Sequence, residues 1–460
     1  MPYLFSKYYP WRNLLFVFGE SGIIFLIINS VFLFWVGFLE FQSQFSLYLL
    51  RALVVTFVFQ LVFYYSDLYD LHVIPRLPDH FLNVIQAFGL GCIVLALIYF
   101  LFPFLTMPSR IFVSGLAGVG LAVFFWRFLY FKILEKRMFV QPVALIGAGE
   151  FAEEIISAID GQKDCGFKIE ALFAADGNPR SRNIGRPIFS DFKELTKLCT
   201  NRKIGKIVVA LDEKRGVPLH ELIQYKFIGI EILDGARFYE ALTGKVPVKR
   251  INPSWLIFSD GFHIGRFKRM LKRALDVVAA SSLFLISLPI FFLTALIVKL
   301  ESAGGVFYRQ KRVGENEKIF ELIKFRSMKE SAEQEGPVWA QAGDARVTKF
   351  GRFIRETRID ELPQLINVLK GDMSFVGPRP ERPVFVESLV KEIPFYGNRH
   401  HVKPGITGWA QINYPYGASV EDALRKLEYD LYYIKNLSIA LDLLTIFQTI
   451  KVVLFRKGAR

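Results

Sequence analysis

An α plus α/β membrane protein is the fold class this sequence predicts, and three observations predict it. Four apolar runs open the chain, each close to the ~20 residues needed to cross a bilayer. A short apolar strand, a Gly-x-Gly turn and a helix start follow near residue 147. A fifth apolar run then appears with basic residues on both flanks, ahead of a polar stretch rich in Arg and Lys. Composition agrees: 52% of the 460 residues are hydrophobic, 46 are phenylalanine, and the mean hydropathy of +0.32 exceeds that of soluble domains. The net charge of +14 points to anionic partners such as phosphates, lipid headgroups or nucleic acid. Cys92, Cys165 and Cys199 are scattered, with neither a disulfide framework nor metal-ligand spacing, so reduced thiols are expected.

The opening runs cover Leu14–Leu39, Phe45–Tyr65, Leu82–Leu105 and Ile111–Tyr130, and predict a four-helix transmembrane bundle over residues 1–139. The first is too long, and too poorly followed by small residues, for a cleaved signal peptide. Glu20 and Arg51 lie inside runs, so each is expected to face a neighbouring helix or an interface. Lys7 and Arg12 precede the first run, Arg76 separates the second and third, and Lys132, Lys136 and Arg137 follow the fourth. The link after the first run has no Lys or Arg, which puts both ends of the bundle in the cytoplasm.

Residues 140–258 predict a Rossmann-like α/β domain. In "PVALIGAGEFAEEI", Gly147, Gly149 and Ala152 complete G-x-G-x-x-A, a spacing that lets backbone approach a pyrophosphate at a helix N-terminus. A tight strand-to-helix turn with no nucleotide is the alternative. The runs "KIEALFA", "KIGKIVVAL" and "IGIEIL" alternate with helical stretches, as in a parallel sheet. A short-chain reductase or epimerase would also need Tyr-x-x-x-Lys. The only such pair, Tyr3 and Lys7, precedes the first membrane run, which counts against redox catalysis.

Residues 259–460 form the third expected domain, entered through the apolar run Leu275–Leu300. Arg266, Lys268, Arg269, Lys272 and Arg273 precede the run, and Lys299, Arg309, Lys311 and Arg312 follow it. A spanning helix normally carries this excess on one side only. Pro289 removes a helical hydrogen bond mid-run and permits a bend. A re-entrant helix that dips into one leaflet is therefore preferred to a fifth span, with Asp276 paired to Lys272 and Arg273 one turn before it. The tail "SIALDLLTIFQTIKVVLFRKGAR" has an apolar stripe ending in Arg456, Lys457 and Arg460. It suits either an anionic membrane surface or packing on the domain's own core.

"RIDELPQL" sets Asp360 and Glu361 two residues before Pro363. Taken alone, the pair reads as a helix cap. A helical wheel puts Leu362, Leu365, Ile366 and Leu369 on one face and Asp360, Gln364 and Asn367 on the other, which predicts an exposed pair. Arg352, Arg355 and Arg358 lie upstream, and an acid held among cations should stay ionised. An ionised carboxylate can attack phosphorus once cations neutralise the phosphoryl oxygens.

From Phe267 onward the chain resembles the bacterial sugar transferase family, the monotopic polyprenyl-phosphate phosphoglycosyl transferases. The matching pieces are "KRALD" with its Pro-broken apolar helix, "VFYRQKRVG", "IKFRSM", "RVTKFGRFIRETRIDELPQLINVLKGDMSFVGPRPE" and "PGITGWAQ", in that order. The bundle and α/β segment resemble the large members, which act in exopolysaccharide, capsule or O-antigen synthesis. The resemblance implies a monotopic catalytic domain with interfacial helices at the bacterial inner membrane, facing the cytoplasm. It implies transfer of a sugar 1-phosphate from a UDP-sugar to undecaprenyl phosphate with release of UMP, the product passing to downstream glycosyltransferases. Asp360 would be the nucleophile, Glu361 its partner, and both would hold Mg²⁺. Lys324, Arg355 and Arg379 match the family's phosphate-binding positions. Membrane lipids are implied partners, nucleic acid is not, and a homodimer through the accessory parts is compatible. The chain departs from the family pattern at Ser287-Leu288-Pro289, in "ESAGGVF", and at Arg358-Ile359. Two other classes stay open, an oxidoreductase using the α/β domain and a non-catalytic scaffold. No residue discriminates the sugar.

Overall fold

A computed structural model of the chain describes residues 3–4, 7–8, 11–69, 77–135, 140–161, 165–174, 188–189, 195, 204–212, 219–328, 346–415, 417 and 419–454. Arg76, Lys136, Arg137, Cys199, Arg456, Lys457 and Arg460 lie outside them. Cys92 and Cys165 are free thiols. The chain divides into two compact units, essentially Tyr8–Gly235 and Ala236–Arg460.

In the first unit the apolar runs form helices α1 (Trp11–Val36), α2 (Phe45–Tyr65), α3 (Leu77–Leu101) and α4 (Ser109–Glu135), all long and apolar enough to cross a membrane. Ile24, Phe32, Phe59, Ala87 and Val119, drawn from all four, share one buried cluster. Phe34, Phe57, Phe100 and Leu121 instead point outward, as side chains facing lipid do. Glu20 and Arg127 are both 0% exposed. Arg127 grips Glu20 through Nε at 2.7 Å and Nη2 at 3.0 Å, donates to the Leu68 carbonyl, and lies among the rings of Phe16, Phe63 and Tyr69. The Tyr69 hydroxyl donates to Glu20 as well. A buried ion pair persists only when its remaining polar atoms are satisfied, and here the neighbours satisfy them. Arg51 reaches the Phe104 carbonyl at 2.9 Å.

The α/β part of this unit is a five-stranded parallel sheet. Its strands are β1 (Gln141–Ile146), β2 (Phe167–Phe173), β3 (Ile188–Phe189), β4 (Lys206–Val209) and β5 (Glu231–Asp234), in spatial order β3-β2-β1-β4-β5. That is the Rossmann order, 3-2-1-4-5, short of its sixth strand. Helix α5 (Glu150–Asp160) follows β1 through the glycine turn, and its buried face carries Phe151, Ala152, Ile155 and Ile159.

The second unit begins with most of helix α6 (Gly235–Thr243), ahead of the boundary expected near residue 258. Glu240 holds Lys435 and Asn436, and the Trp409 indole donates to the Gly244 carbonyl. Helix α7 (Arg266–Glu301) is 36 residues long and runs unbroken through Pro289. One side of it lies on the domain that follows, with Asp276, Ala280, Ser287, Phe291, Thr294 and Val298 buried along its length, and no reversal of the chain occurs at Pro289. Ala280 packs with Leu365, Val368 and Met373, while Phe291 and Val298 pack with Phe325 and Ile354. The other side of α7 exposes Phe267, Val278, Leu285, Phe292 and Leu300.

The domain it lies on contains the antiparallel pair β6 (Phe307–Val313) and β7 (Ile319–Phe325), helices α8 (Lys349–Glu356) and α9 (Gln364–Lys370), and the parallel pair β8 (Ser374–Val376) and β9 (Gly405–Thr407). Helices α10 (Val420–Lys435) and α11 (Ile439–Leu454) close it. α11 buries Leu441, Asp442 and Thr445 and exposes Leu443, Ile450 and Val453, so it packs on its own domain and shows an apolar face outward.

Candidate active site

The acid pair sits in a single 3₁₀ turn, Ile359–Glu361, between α8 and α9. Arg358 enters the turn in the left-handed region at φ 59°, a conformation that costs a non-glycine residue about 1 kcal/mol or more. Pro363 has no N–H to lose and precedes α9, whose end is set by Gly371 at φ 96°. Asp360 and Glu361 are 7% and 8% exposed, so the pair is buried, contrary to the wheel's prediction. The wheel assumed one helix through residues 360–369, whereas the 3₁₀ turn and Pro363 reset the phase. The polar face of α9 is also covered. Asn367 donates to the Glu321 carbonyl and accepts from the Ile323 amide, binding α9 to the strand that carries Lys324.

Three cations converge on one oxygen. Arg379 Nη2, Lys324 Nζ and Arg358 Nη1 lie 2.8, 3.4 and 3.5 Å from Glu361 Oε1. Asp360 forms no side-chain hydrogen bond among the described residues. Arg355 acts on Asp360 through its charge alone. The two acids therefore differ electrostatically. Burial opposes the Glu361 anion, but Arg379 and Lys324 hold its carboxyl well below the usual range. Burial pushes the Asp360 carboxyl up to about 6, with Lys324 opposing and the Glu361 charge adding to the rise. The expectation that cations hold the acid's carboxyl low is thus corrected for Asp360, because burial and the Glu361 charge outweigh Lys324, Arg355 and Arg358. Burial also lowers Lys324.

The α7 residues singled out by sequence build the supports of this turn. Arg273 does not pair with Asp276. It donates through Nη1 to the Val368 carbonyl at 2.6 Å and through Nη2 to the Leu369 carbonyl at 2.8 Å, capping the C-terminus of α9. Lys272 lies 3.8 Å from Asp276 but is held more closely by Asp442 at 2.8 Å and by the Val376 carbonyl at 3.1 Å. Asp276 accepts from the Ser374 hydroxyl and the Phe375 amide, both at 2.9 Å, which fixes β8 just ahead of Arg379. Arg326 is likewise structural, donating to the Ser302 carbonyl at the end of α7. Charge-assisted bonds such as the two from Arg273 contribute about 1.5–3 kcal/mol each, net of the bonds to water they replace. Arg273→Ala is expected to lower the thermal midpoint clearly and Arg273→Lys to recover part of it. A midpoint equal to wild type would mean that the carbonyls are satisfied without it.

Sequence reasoning put Asn367 on an open polar face, and passed over Asp442 and the buried pair behind Arg379. There Arg399 meets Asp430 at 2.8 Å and donates to the Arg379 carbonyl at 2.9 Å. Asp442 had a signal, a lone acid in the apolar stripe of the tail; Arg399 and Asn367 had none. A cavity of about 100 Å³ opens beside the turn, lined by Arg358, Arg379, Tyr396, Gln411, Tyr414 and Lys426 among others. All of its lining residues fall between 358 and 430, and none comes from α7. Mg²⁺ takes oxygen ligands, commonly one or two carboxylates plus substrate phosphates. The adjacent Asp360 and Glu361 fit that share. No cluster of three or more acidic, His or Cys side chains able to hold a metal occurs among the described residues.

The family model described as bacterial sugar transferase matches residues 267–456, and one described as CoA-binding domain matches 65–226. The chain is 47% identical over 221 residues to UDP-N-acetylgalactosamine-undecaprenyl-phosphate N-acetylgalactosaminephosphotransferase of Aeromonas hydrophila, covering 48% of this chain and 52% of that protein. It is 34% identical over 334 residues to undecaprenyl-phosphate glucose phosphotransferase of Komagataeibacter xylinus, covering 70% and 61%. With UDP-glucose:undecaprenyl-phosphate glucose-1-phosphate transferase of Xanthomonas campestris pv. campestris it shares 31% identity over 364 residues, covering 76% and 74%. The chain thus spans between half and two thirds of the length of the first two of these proteins.

Proposed function

The chain belongs to the bacterial sugar transferase family, and from that premise we propose that it transfers a sugar 1-phosphate from a UDP-sugar to undecaprenyl phosphate, releasing UMP. One observation carries the reading: a buried carboxylate, Asp360, with no hydrogen-bond partner among the described residues, beside a Glu361 that gathers three cations. An oxygen of ionised Asp360 attacks the β-phosphorus of the donor, and the bond to the bridging oxygen breaks to release UMP. An oxygen of the lipid phosphate then attacks the same phosphorus and frees the Asp360 carboxylate. Splitting the transfer lets the soluble product leave before the lipid reacts. Lys324, Arg355 and Arg379 would hold the phosphoryl oxygens as negative charge develops. Mg²⁺, held by Asp360 and Glu361, would neutralise donor phosphate charge.

Placement supports the two-substrate reading. A helix that lies on one domain along its buried side, and exposes an apolar side along its length, suits attachment to one face of the membrane better than a crossing. The lipid phosphate would then approach from the α7 side. The cavity owes nothing to α7, so it suits the water-soluble nucleotide, with Arg358 and Arg379 near the diphosphate and the Tyr396 and Tyr414 rings near the base. In this reading the reaction occurs at the cytoplasmic face of the inner membrane, as the first membrane step of polysaccharide synthesis.

The test is UMP release with a panel of UDP-sugars, with and without undecaprenyl phosphate and Mg²⁺. Without the lipid, about one UMP per enzyme is expected, because the intermediate has no acceptor; with it, turnover continues. Absence of UMP with every donor would favour the scaffold reading. Continuous UMP release without lipid would argue against a stable covalent intermediate.

A further inference from the structure

The match to a CoA-binding domain and the G-x-G-x-x-A spacing both direct attention to the turn between β1 and α5, where a ligand's phosphates would meet the helix N-terminus. Protein atoms already stand there. Asp212, just beyond β4, spans the first amides of α5: Oδ2 accepts from the Glu150 amide at 3.1 Å and Oδ1 from the Phe151 amide at 3.0 Å. Two oxygens of one anion on two successive helix N-terminal amides is the arrangement a phosphate would adopt.

The glycines of the motif are accounted for by the same segment. A Cβ on Gly149 would fall 1.7 Å from Asp212 Oδ2, so the glycine makes room for the aspartate. Gly147 has φ +134°, and a Cβ there would lie 2.1 Å from the Ala210 carbonyl oxygen, two residues before Asp212. Ala152 is wholly buried against the sheet, which needs only a small side chain. The charge balance points the same way. The first turn of α5 carries Glu150 and Glu153, so with Asp212 three acids already sit at the positive end of the dipole. A diphosphate would have to displace Asp212 from these amides.

We infer that Asp212 is the resident anion of this glycine turn, and that the turn takes neither CoA nor a dinucleotide. The motif survives here as a self-closing joint between β4 and α5. The inference does not depend on the transferase reading, because its measurements involve no turnover.

The experiment is hydrogen exchange of the segment 147–152 in the full-length protein in nanodiscs, with CoA, NAD⁺ or pyrophosphate at millimolar concentration. Wild type is expected to show no change with any of the three. In Asp212→Ala the Glu150 and Phe151 amides should exchange about fivefold faster, the factor matching loss of a typical cap. Pyrophosphate should slow that exchange in the variant only. Asp212→Asn, which keeps one oxygen without the charge, should fall between and serves if the alanine variant does not fold. Protection of wild type by CoA or NAD⁺ would overturn the inference. So would unchanged exchange in both variants, or failure of pyrophosphate to protect either.

Discussion

Asp360→Asn is expected to lower sugar-phosphate transfer by at least about 10³-fold and to abolish the covalent adduct, while leaving the protein as stable as wild type or more so. The amide has the shape of the carboxylate but no anionic oxygen to attack phosphorus. Intact mass of wild type, incubated with the donor and no lipid, should show one added sugar phosphate; the variant should show none. An adduct in the variant would move the nucleophile elsewhere, and unchanged transfer would remove catalysis from this turn altogether. The stability expectation follows from the raised carboxyl, pushed to about 6 by burial with the Glu361 charge adding to it. An acid whose folded value lies above its unfolded value of about 3.9 stabilises the fold fully only below that lower figure. The contribution is lost as pH rises through about 6, so at neutral pH the ionised Asp360 is a net cost that asparagine removes. A residue that impairs stability and supports turnover is what a working site contains. A variant much less stable than wild type at neutral pH would count against this account.

Glu361→Gln is expected to cost about 10²–10³-fold in turnover, for a different reason. Glu361 Oε1 is the point on which Lys324, Arg358 and Arg379 converge. A neutral amide cannot hold three cations, so they spread and lose their alignment on the donor phosphates. The pH profile separates this loss from simple damage. In wild type, kcat/KM should fall in acid as Asp360 takes up its proton, with a limb at or below about pH 6 because bound Mg²⁺ would lower the carboxyl further. Removing the Glu361 charge withdraws one cause of that high value and frees Lys324 to act on Asp360, so the acid limb should move to lower pH. A limb that stays in place would show that the two carboxyls titrate independently.

The membrane helices were legible because a bilayer imposes length and polarity so strictly. The predicted run Phe45–Tyr65 and helix α2 share both ends. The parallel sheet was legible for a similar reason, since short apolar runs between helical stretches have few other arrangements. Pairing across long separations was not. Arg127 is the one cation of its run, which marks it as needing a partner, but nothing local says that the partner is Glu20, 107 residues away. Arg273 was set against Asp276 by helical spacing, whereas the carbonyl ends of α9 claim it, and helix termini from elsewhere in the fold leave no mark on a wheel. At the acid pair the residue types were readable and the burial was not. The 3₁₀ turn Ile359–Glu361, with Pro363 after it, resets the phase of the helix that the wheel assumed.

One turn of α7 carries two fastenings. Arg273 holds the end of α9, which follows the acid pair, while Lys272 and Asp276 hold β8, which leads to Arg379. The acid pair and Arg379 therefore hang from a single peg. If the helix rocks or rises with the thickness of the surrounding lipid, both travel together and their spacing is kept. For the proposed transferase, the site's draught, how low it would ride in the headgroups, is thus mechanically separate from its internal geometry. A cell that remodels its lipids would change how readily the long-chain substrate reaches the site, and leave the chemistry there as it was.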